Sequence, residues 1–216
     1  MSRTPLPSNP TPLTPVSALV PWNSATLRVT AYVNTAASGV QSVLMVAEDA
    51  NTGSSTMAPV TVYTGADNTH QLLVVQVLYV PLATSSQAVS FCIYDTSAGG
   101  NIALIGTFNL ATSSATVSLS QTNLTDTPEL ALFDGYAGGA VLFAANLSGT
   151  LLYRVFSSSS STLGSGTLAT GVTGTGKVSA YGNTLDTVAV FVFGFFARKN
   201  RADPVYLEQG LPVESF

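Results

Sequence analysis

Apolar and polar residues alternate along much of this chain, and that period of two constrains the fold more than any other feature. In residues 26–35, every second position is apolar: Leu27, Val29, Ala31 and Val33. Successive side chains of a β-strand point to opposite faces of its sheet, so the pattern predicts a strand with one buried face. Similar segments predict further strands at residues 40–47, 60–64, 72–80, 89–93, 102–108, 115–119, 140–147, 150–156, 177–181 and 187–196.

The fold class follows from the number of these segments and from the residues between them. Gly and Asn mark turns at residues 50–53, 98–101 and 182–183. About ten short strands with almost no helix predict an all-β fold, specifically a two-sheet antiparallel β-sandwich of the jelly-roll type. Residues 60–64 follow Pro59 and predict an edge strand, whereas residues 72–80 are apolar on both faces and predict a central one. The predicted core contains Val74, Leu78, Phe91, Ile93, Val155, Val190 and Val192.

Three parts of the chain are predicted to have other structures. Residues 1–25 contain six prolines, which predict an extended arm. We expect this arm to pack against neighbouring subunits, so its removal would leave residues 26–200 folded as the sandwich domain. Residues 201–216 form a C-terminal tail. A short helix is predicted to begin at Asp126 or Thr127, with Pro128 in its first turn and Glu129 completing a capping box, and to end at Gly135. Residues 157–176, rich in Ser, Gly and Thr, predict a long flexible loop.

The chain has few charges for its hydrophobicity. Charged residues make up 8% and hydrophobic residues 46%, and the formal net charge is -4. Ser, Thr, Asn and Gly fill the polar positions, and such a surface loses little free energy when it is desolvated. No Lys or Arg lies between Arg28 and Arg154, which argues against a dedicated nucleic-acid binder and leaves only weak contact open.

Targeting and membrane signals are weak. The N-terminus is Pro-rich and polar where a secretory signal has an apolar segment, and no apolar run is long enough to span a bilayer. The sequons at Asn123 and Asn146 are therefore expected to be unused.

The closest approach to a nucleotide-binding motif is residues 171–178, which have the spacing of a P-loop. Val178 stands where the magnesium-binding Ser or Thr is needed, and the following residues predict a strand instead of a helix. Phosphate binding is not expected here.

Single His and Cys residues offer little catalytic chemistry. His70 is interpreted as a turn residue before a strand; a Ser-His-Asp triad with Asp67 is the alternative, but no Gly-x-Ser-x-Gly motif accompanies it. Cys92 is interpreted as a buried small apolar residue, and a lone cysteine excludes an internal disulfide.

Clusters of like charge are also interpreted structurally. Asp126, Glu129 and Asp134, and the pair Glu48 and Asp49, could supply oxygen ligands to calcium, but a helix cap and solvated loops are preferred because no EF-hand spacing is present. Arg198, Lys199 and Arg201 form a small basic cluster that could touch an anionic surface. We expect no enzymatic activity, no metal and no cofactor.

The layout resembles the jelly-roll coat proteins of small non-enveloped icosahedral viruses, of the picorna-like and calicivirus-like kind. Residues 147–156 are similar to the Ser-Gly-x-Leu-x-Tyr pattern of a core strand in that family, and the arm and C-terminal tail match its plan. The resemblance implies a capsid subunit that assembles with copies of itself and other coat subunits into a virion in the host cytoplasm, and that meets a host receptor. The alternative is an attachment module, such as a phage or bacterial adhesin, that binds glycan or protein through its loops. An enzyme using His70 is the third hypothesis.

Overall fold

The computed structural model describes residues 16–80, 88–97, 99–125, 127–133, 140–157, 162–171, 177–184, 187–193 and 210–212. These residues form strands and turns with no helix, and so none that could cross a membrane. The strands are β1 (Val16–Trp22), β2 (Ala25–Thr35), β3 (Gln41–Asp49), β4 (Ser55–Thr64), β5 (Gln71–Val80), β6 (Ala88–Thr96), β7 (Ile102–Asn109), β8 (Ser114–Thr122), β9 (Glu129–Phe133), β10 (Ala140–Leu147), β11 (Thr150–Ser157), β12 (Thr162–Thr170), β13 (Lys177–Thr184), β14 (Thr187–Phe193) and β15 (Gly210–Pro212).

The strands pair with their neighbours along the chain. β1–β4 form the first sheet, β5–β8 the second, β9–β12 the third and β13–β15 the fourth, and every pairing is antiparallel. Tight turns permit this pattern. Asn23 and Ser24 between β1 and β2, and Ser148 and Gly149 between β10 and β11, have positive φ, which matches the twist of a two-residue hairpin.

The all-β antiparallel prediction is confirmed, and the apolar packing of the first sheet against the second is that of a β-sandwich. The described strands are grouped into four hydrogen-bonded sheets. The jelly-roll order is not confirmed, because the strand order within each described sheet follows the chain and a jelly roll contains two Greek keys. Alternation identifies a strand and its buried face but not its partner, and short connections favour pairing with the next strand.

The second sheet lies between the first and the third. β6 is buried along residues 88–95, on both faces. On one face, Val89, Phe91 and Ile93 belong to an apolar cluster with Val29, Val43 and Met45 of the first sheet. On the other face, Cys92 and Tyr94 join a cluster with Leu130, Val141 and Phe143 of the third sheet. The core is therefore two apolar layers separated by one sheet.

The prediction that residues 72–80 form a central strand is wrong for β5. It is an edge strand of its sheet by hydrogen bonding, but it contacts β1, β2 and β3 of the first sheet and β9 of the third. A bulge between Val74 and Gln76 shifts the alternation, so Leu72, Val74 and Val77 face the first sheet. Residues 72–80 are apolar on both faces because sheets pack on both sides, although β6 is the one described strand that pairs with them.

Most of the predicted core is buried. Val74, Phe91, Ile93 and Val155 are at most 5% exposed, and Leu78 is half-buried against the second apolar cluster. Val190 and Val192 lie in β14, but their side chains are outside the described part of the structure. The prediction of an edge strand at residues 60–64 is confirmed by β4.

The predicted arm is wrong for residues 16–22. They form β1, which pairs with β2, and Val20 is fully buried in the domain's own core. Pro21 is tolerated because β1 is an edge strand and needs no amide on its outer side. Residues 1–15 lie outside the described residues.

Two further segments differ from the sequence predictions. The residues predicted as a helix from 126 to 135 contain β9, because Leu130 is buried opposite Phe143 of β10 and tertiary packing overrides the capping signals. Part of the loop predicted at residues 157–176 is β12, an edge strand with two irregularities in its pairing with β11. In the predicted tail, Gly210–Pro212 pairs with β14 as β15, and the other residues of 201–216 are not described.

Candidate functional site

A buried carboxylate joins the first sheet to the second. Asp95, near the end of β6, is fully buried. The hydroxyl of Tyr63 in β4 donates to Asp95 Oδ2 over 2.7 Å, and Nδ1 of His70 lies 2.8 Å from both carboxylate oxygens. A carboxylate only accepts hydrogen bonds, so Nδ1 of His70 carries the proton in this contact. Two donors from different elements thus satisfy one buried acidic group.

The segment before β5 is built to bring His70 to this position. Gly65 is buried, and a Cβ there would lie 2.7 Å from the Cβ of His70, closer than real atoms approach. The amide of Gly65 donates to the carbonyl of Gln41 over 2.9 Å, and Oε1 of Gln41 accepts from the amide of Leu72 over 2.7 Å. Gln41 therefore fixes both ends of the segment that carries His70.

The interpretation of His70 as a simple turn residue is incomplete. Its backbone does precede β5, but its side chain is only 14% exposed and bonded to Asp95. The signal in the sequence is Asp95, which directly follows the mostly apolar residues 88–94. A carboxylate at that position needs a hydrogen-bond partner wherever the strand is buried.

The arrangement does not form the triad considered from the sequence. Asp67 accepts hydrogen bonds from the amide and the hydroxyl of Thr69, at 2.8 and 2.6 Å, which lowers the pKa of its carboxyl. His70 pairs with Asp95 instead. Burial, together with the hydrogen bond to Asp95, raises the pKa of Tyr63 far above its usual range, so its hydroxyl stays protonated. We interpret the three side chains as a clamp between two sheets.

Other predicted site residues take part in structural contacts. Glu48 pairs with Arg28 over 3.0 Å, and Asp49 accepts from the amides of Thr52 and Asn51, which lowers the pKa of its carboxyl. Cys92 is buried as predicted, and burial raises the pKa of its thiol.

The calcium hypothesis falls mainly on residues that are not described. Asp126 and Asp134 lie outside the described residues, as does the side chain of Glu129. Within the described part of the chain, no group of three or more His, Cys, Asp or Glu side chains could hold a metal ion.

The glycine-rich segment lacks the secondary structure of a P-loop. Gly171, with φ +71°, follows β12, and Lys177 begins β13, where a phosphate-binding loop needs the start of a helix. Residues 172–176 are not described, and the same holds for Arg198, Lys199 and Arg201. Asn123 is exposed in the turn after β8, with φ 56°, whereas the side chain of Asn146 lies outside the description.

The first sheet has a second face that the sequence analysis did not single out. We call it the outer face: the side chains of β1–β3 that point away from the second sheet, namely Ser17, Leu19, Pro21, Thr26, Arg28, Thr30, Tyr32, Asn34, Ser42, Leu44, Val46 and Glu48. None of them belongs to either apolar cluster of the described residues. Leu19 is 57% exposed and is the one large hydrophobic side chain that stands out as exposed in the described part of the structure. Alternation separates the two faces of a strand, but it cannot show whether another sheet covers a face.

Comparisons with known proteins add little. No protein-family model matches the chain, and no curated protein matches it. Among solved structures, the β-propeller domain of Nup133 from Vanderwaltozyma polyspora is similar over 84% of this chain, with 12% identity and a TM-score of 0.40. The matched part spans 53% of that protein's chain.

Proposed function

We propose that this chain is a structural subunit that works by associating with copies of itself. The observation that carries the proposal is the chemistry of the last strand in each of the first three sheets. Described exposed positions on β4, β8 and β12 bear hydroxyl or apolar groups and no charge: Ser55, Thr56, Ala58, Pro59, Thr61, Thr64, Ser114, Thr116, Thr122, Thr162, Ser165, Thr167 and Thr170.

Such strands favour association for two reasons. A hydroxyl group loses far less hydration free energy on burial than a charged group, and it can find a new partner as donor or acceptor. Few charges also mean little repulsion between copies, and depletion of charged residues is typical of the buried centres of protein interfaces. Natural edge strands commonly carry Lys to prevent pairing with other chains, and these strands do not.

The buried polar groups support the same proposal. His70 is the single histidine of the chain, and its Nδ1 is bonded to Asp95 inside the clamp. Cys92 is fully buried with its pKa raised, which keeps it a protonated thiol. Both side chains therefore take part in the packing between sheets.

A viral shell is the specific form of assembly that the sequence resemblance suggests. Its support is the low charge of the sequence and the absence of a catalytic motif in it. The strand order of the described sheets adds no support, because it follows the chain and is not that of a jelly roll. The alternative is an attachment module. It is favoured by the exposed hydroxyl-bearing strands and by the exposed turn at Asn51–Gly53, which could present a polar surface to a glycan or protein.

Size-exclusion chromatography with light scattering, followed by negative-stain microscopy, tests the proposal on the full chain. Concentration-dependent oligomers support a structural subunit, and closed particles support the shell. A monomer at every concentration contradicts self-association and favours the attachment module, which glycan-array binding would then examine.

A further inference from the structure

We infer that the outer face of the first sheet binds a second copy of this chain, face to face about a twofold axis. The inference rests on the proposed function, because it names the surface through which copies first meet. In a twofold interface the same patch is used on both subunits, so the patch must be complementary to itself. The outer face meets this requirement in its apolar groups, its charges and its size.

The apolar part of the face is arranged in rows across the strands. Tyr32 of β2 lies opposite Leu44 of β3, and Thr30 lies opposite Val46. These side chains are half-buried, and Leu19 of β1 extends the surface with its 57% exposure. Packing against a second sheet removes this apolar area from water, which is the main favourable contribution in association.

The charges of the face form one balanced pair. Leu19, Arg28 and Glu48 lie in register across β1, β2 and β3. Arg28 and Glu48 are 3.0 Å apart and about a third exposed, and the other residues of the face are uncharged. A twofold axis between them places each Arg28 opposite the partner's Glu48. The two ion pairs then form an alternating square of four charges, so neither copy buries an unpaired ion.

The size of the face agrees with what a weak specific dimer needs. Its three strands contain 7, 11 and 9 residues. With about 3.3 Å per residue along a strand and about 4.8 Å between strands, the face covers about 430 Å². Two copies would bury about 860 Å² together, in the range of weak, transient interfaces. Further contacts at the edges of β4, β8 and β12 would then extend a dimer into a larger assembly.

A charge-exchange experiment tests the twofold arrangement directly. Arg28→Glu leaves two acidic groups on the face, and Glu48→Arg leaves two basic groups. Each variant alone should lose dimer affinity by at least about a hundredfold, because like charges facing each other cost several kcal/mol and each 1.4 kcal/mol is tenfold. Mixing the two variants should restore a heterodimer to within about tenfold of the wild-type affinity, measured by analytical ultracentrifugation. A merely structural role of the ion pair predicts no rescue on mixing.

Two further variants keep the result interpretable. Leu19→Glu adds a charge at an already exposed position, so it should leave folding unchanged, as judged by circular dichroism, and abolish dimerisation. Ala111→Glu adds the same charge in the exposed turn between β7 and β8 of the second sheet and should leave the dimer intact. If wild type associates but both Leu19→Glu and the charge variants associate equally well, the outer face is not the interface while the proposed function survives. If wild type never associates, the proposed function itself fails.

Discussion

Removing the buried carboxylate of Asp95 should destabilise the fold more than removing any exposed acidic group. Asp95 is fully buried and accepts from Tyr63 at 2.7 Å and from His70 at 2.8 Å. In Asp95→Ala, a phenol hydroxyl and an imidazole N–H both lose their acceptor in a site with little water. Breaking a buried pair by removing one partner costs about 3–5 kcal/mol, so we expect a loss of about 4 kcal/mol in the free energy of unfolding.

Urea unfolding followed by circular dichroism measures this loss. With a slope of about 2 kcal/mol/M, the midpoint should fall by about 2 M while the slope stays the same. Tyr63→Phe removes one of the two hydrogen bonds and should cost about 1–2 kcal/mol. Asp67→Ala is the matched control, because Asp67 is a neighbouring carboxylate with only local contacts to Thr69, and its effect should be much smaller. The reasoning is refuted if Asp95→Ala and Asp67→Ala shift the midpoint equally.

Three further predictions follow from the same packing. Burial and Asp95 raise the pKa of Tyr63 in the folded state. The stabilisation by its protonated hydroxyl is therefore complete below the unfolded tyrosine pKa of about 10 and is lost as pH rises above that value. Between about pH 9 and 11, the free energy of unfolding, measured from urea midpoints, should fall more for wild type than for Tyr63→Phe. Gly106→Ala places a Cβ against the ring of Phe91, its cross-strand partner, and should lower stability by about 1–3 kcal/mol in the same assay; an unchanged midpoint would show that the ring can move aside. Deleting residues 1–20 should lower the free energy of unfolding by about 1.5–3 kcal/mol more than deleting residues 1–15, because Val20 is fully buried; equal stabilities would show that β1 contributes nothing.

The sequence predicted strands well because the alternation reports burial directly. Residues 26–35 are β2 with one buried face, as the pattern indicates. Errors arose where strands lacked this signal. β1 contains Pro21 and β12 contains two glycines. Both are edge strands of their described sheets, and an edge strand makes ladder hydrogen bonds on one side only, so it tolerates Pro and Gly. In β9, local capping residues suggested a helix, and only the partner strand β10 explains the extended backbone.

Which sheet packs on which is not encoded in any local pattern. The double-sided apolar strand β5 was expected at the centre of a sheet, and it lies instead at an edge with sheets on both sides. Both arrangements bury the same residues, so periodicity cannot separate them. The clamp was missed for the same reason, because Tyr63 and Asp95 are 32 residues apart and meet only when the first two sheets stack. His70→Ala should accordingly destabilise the fold, although the sequence alone suggested that it would be tolerated.

The mass of the wild-type full chain in solution, measured by sedimentation velocity from low micromolar to high micromolar concentration, tests the central claim most directly. The account predicts a reversible shift from monomer to dimer and larger species as concentration rises. The same association should persist at high ionic strength. Salt screens interactions between charges, and the outer face has a single ion pair among mostly apolar and hydroxyl groups. A monomer of 22.2 kDa throughout that range would contradict the proposal that this chain is a self-associating structural subunit.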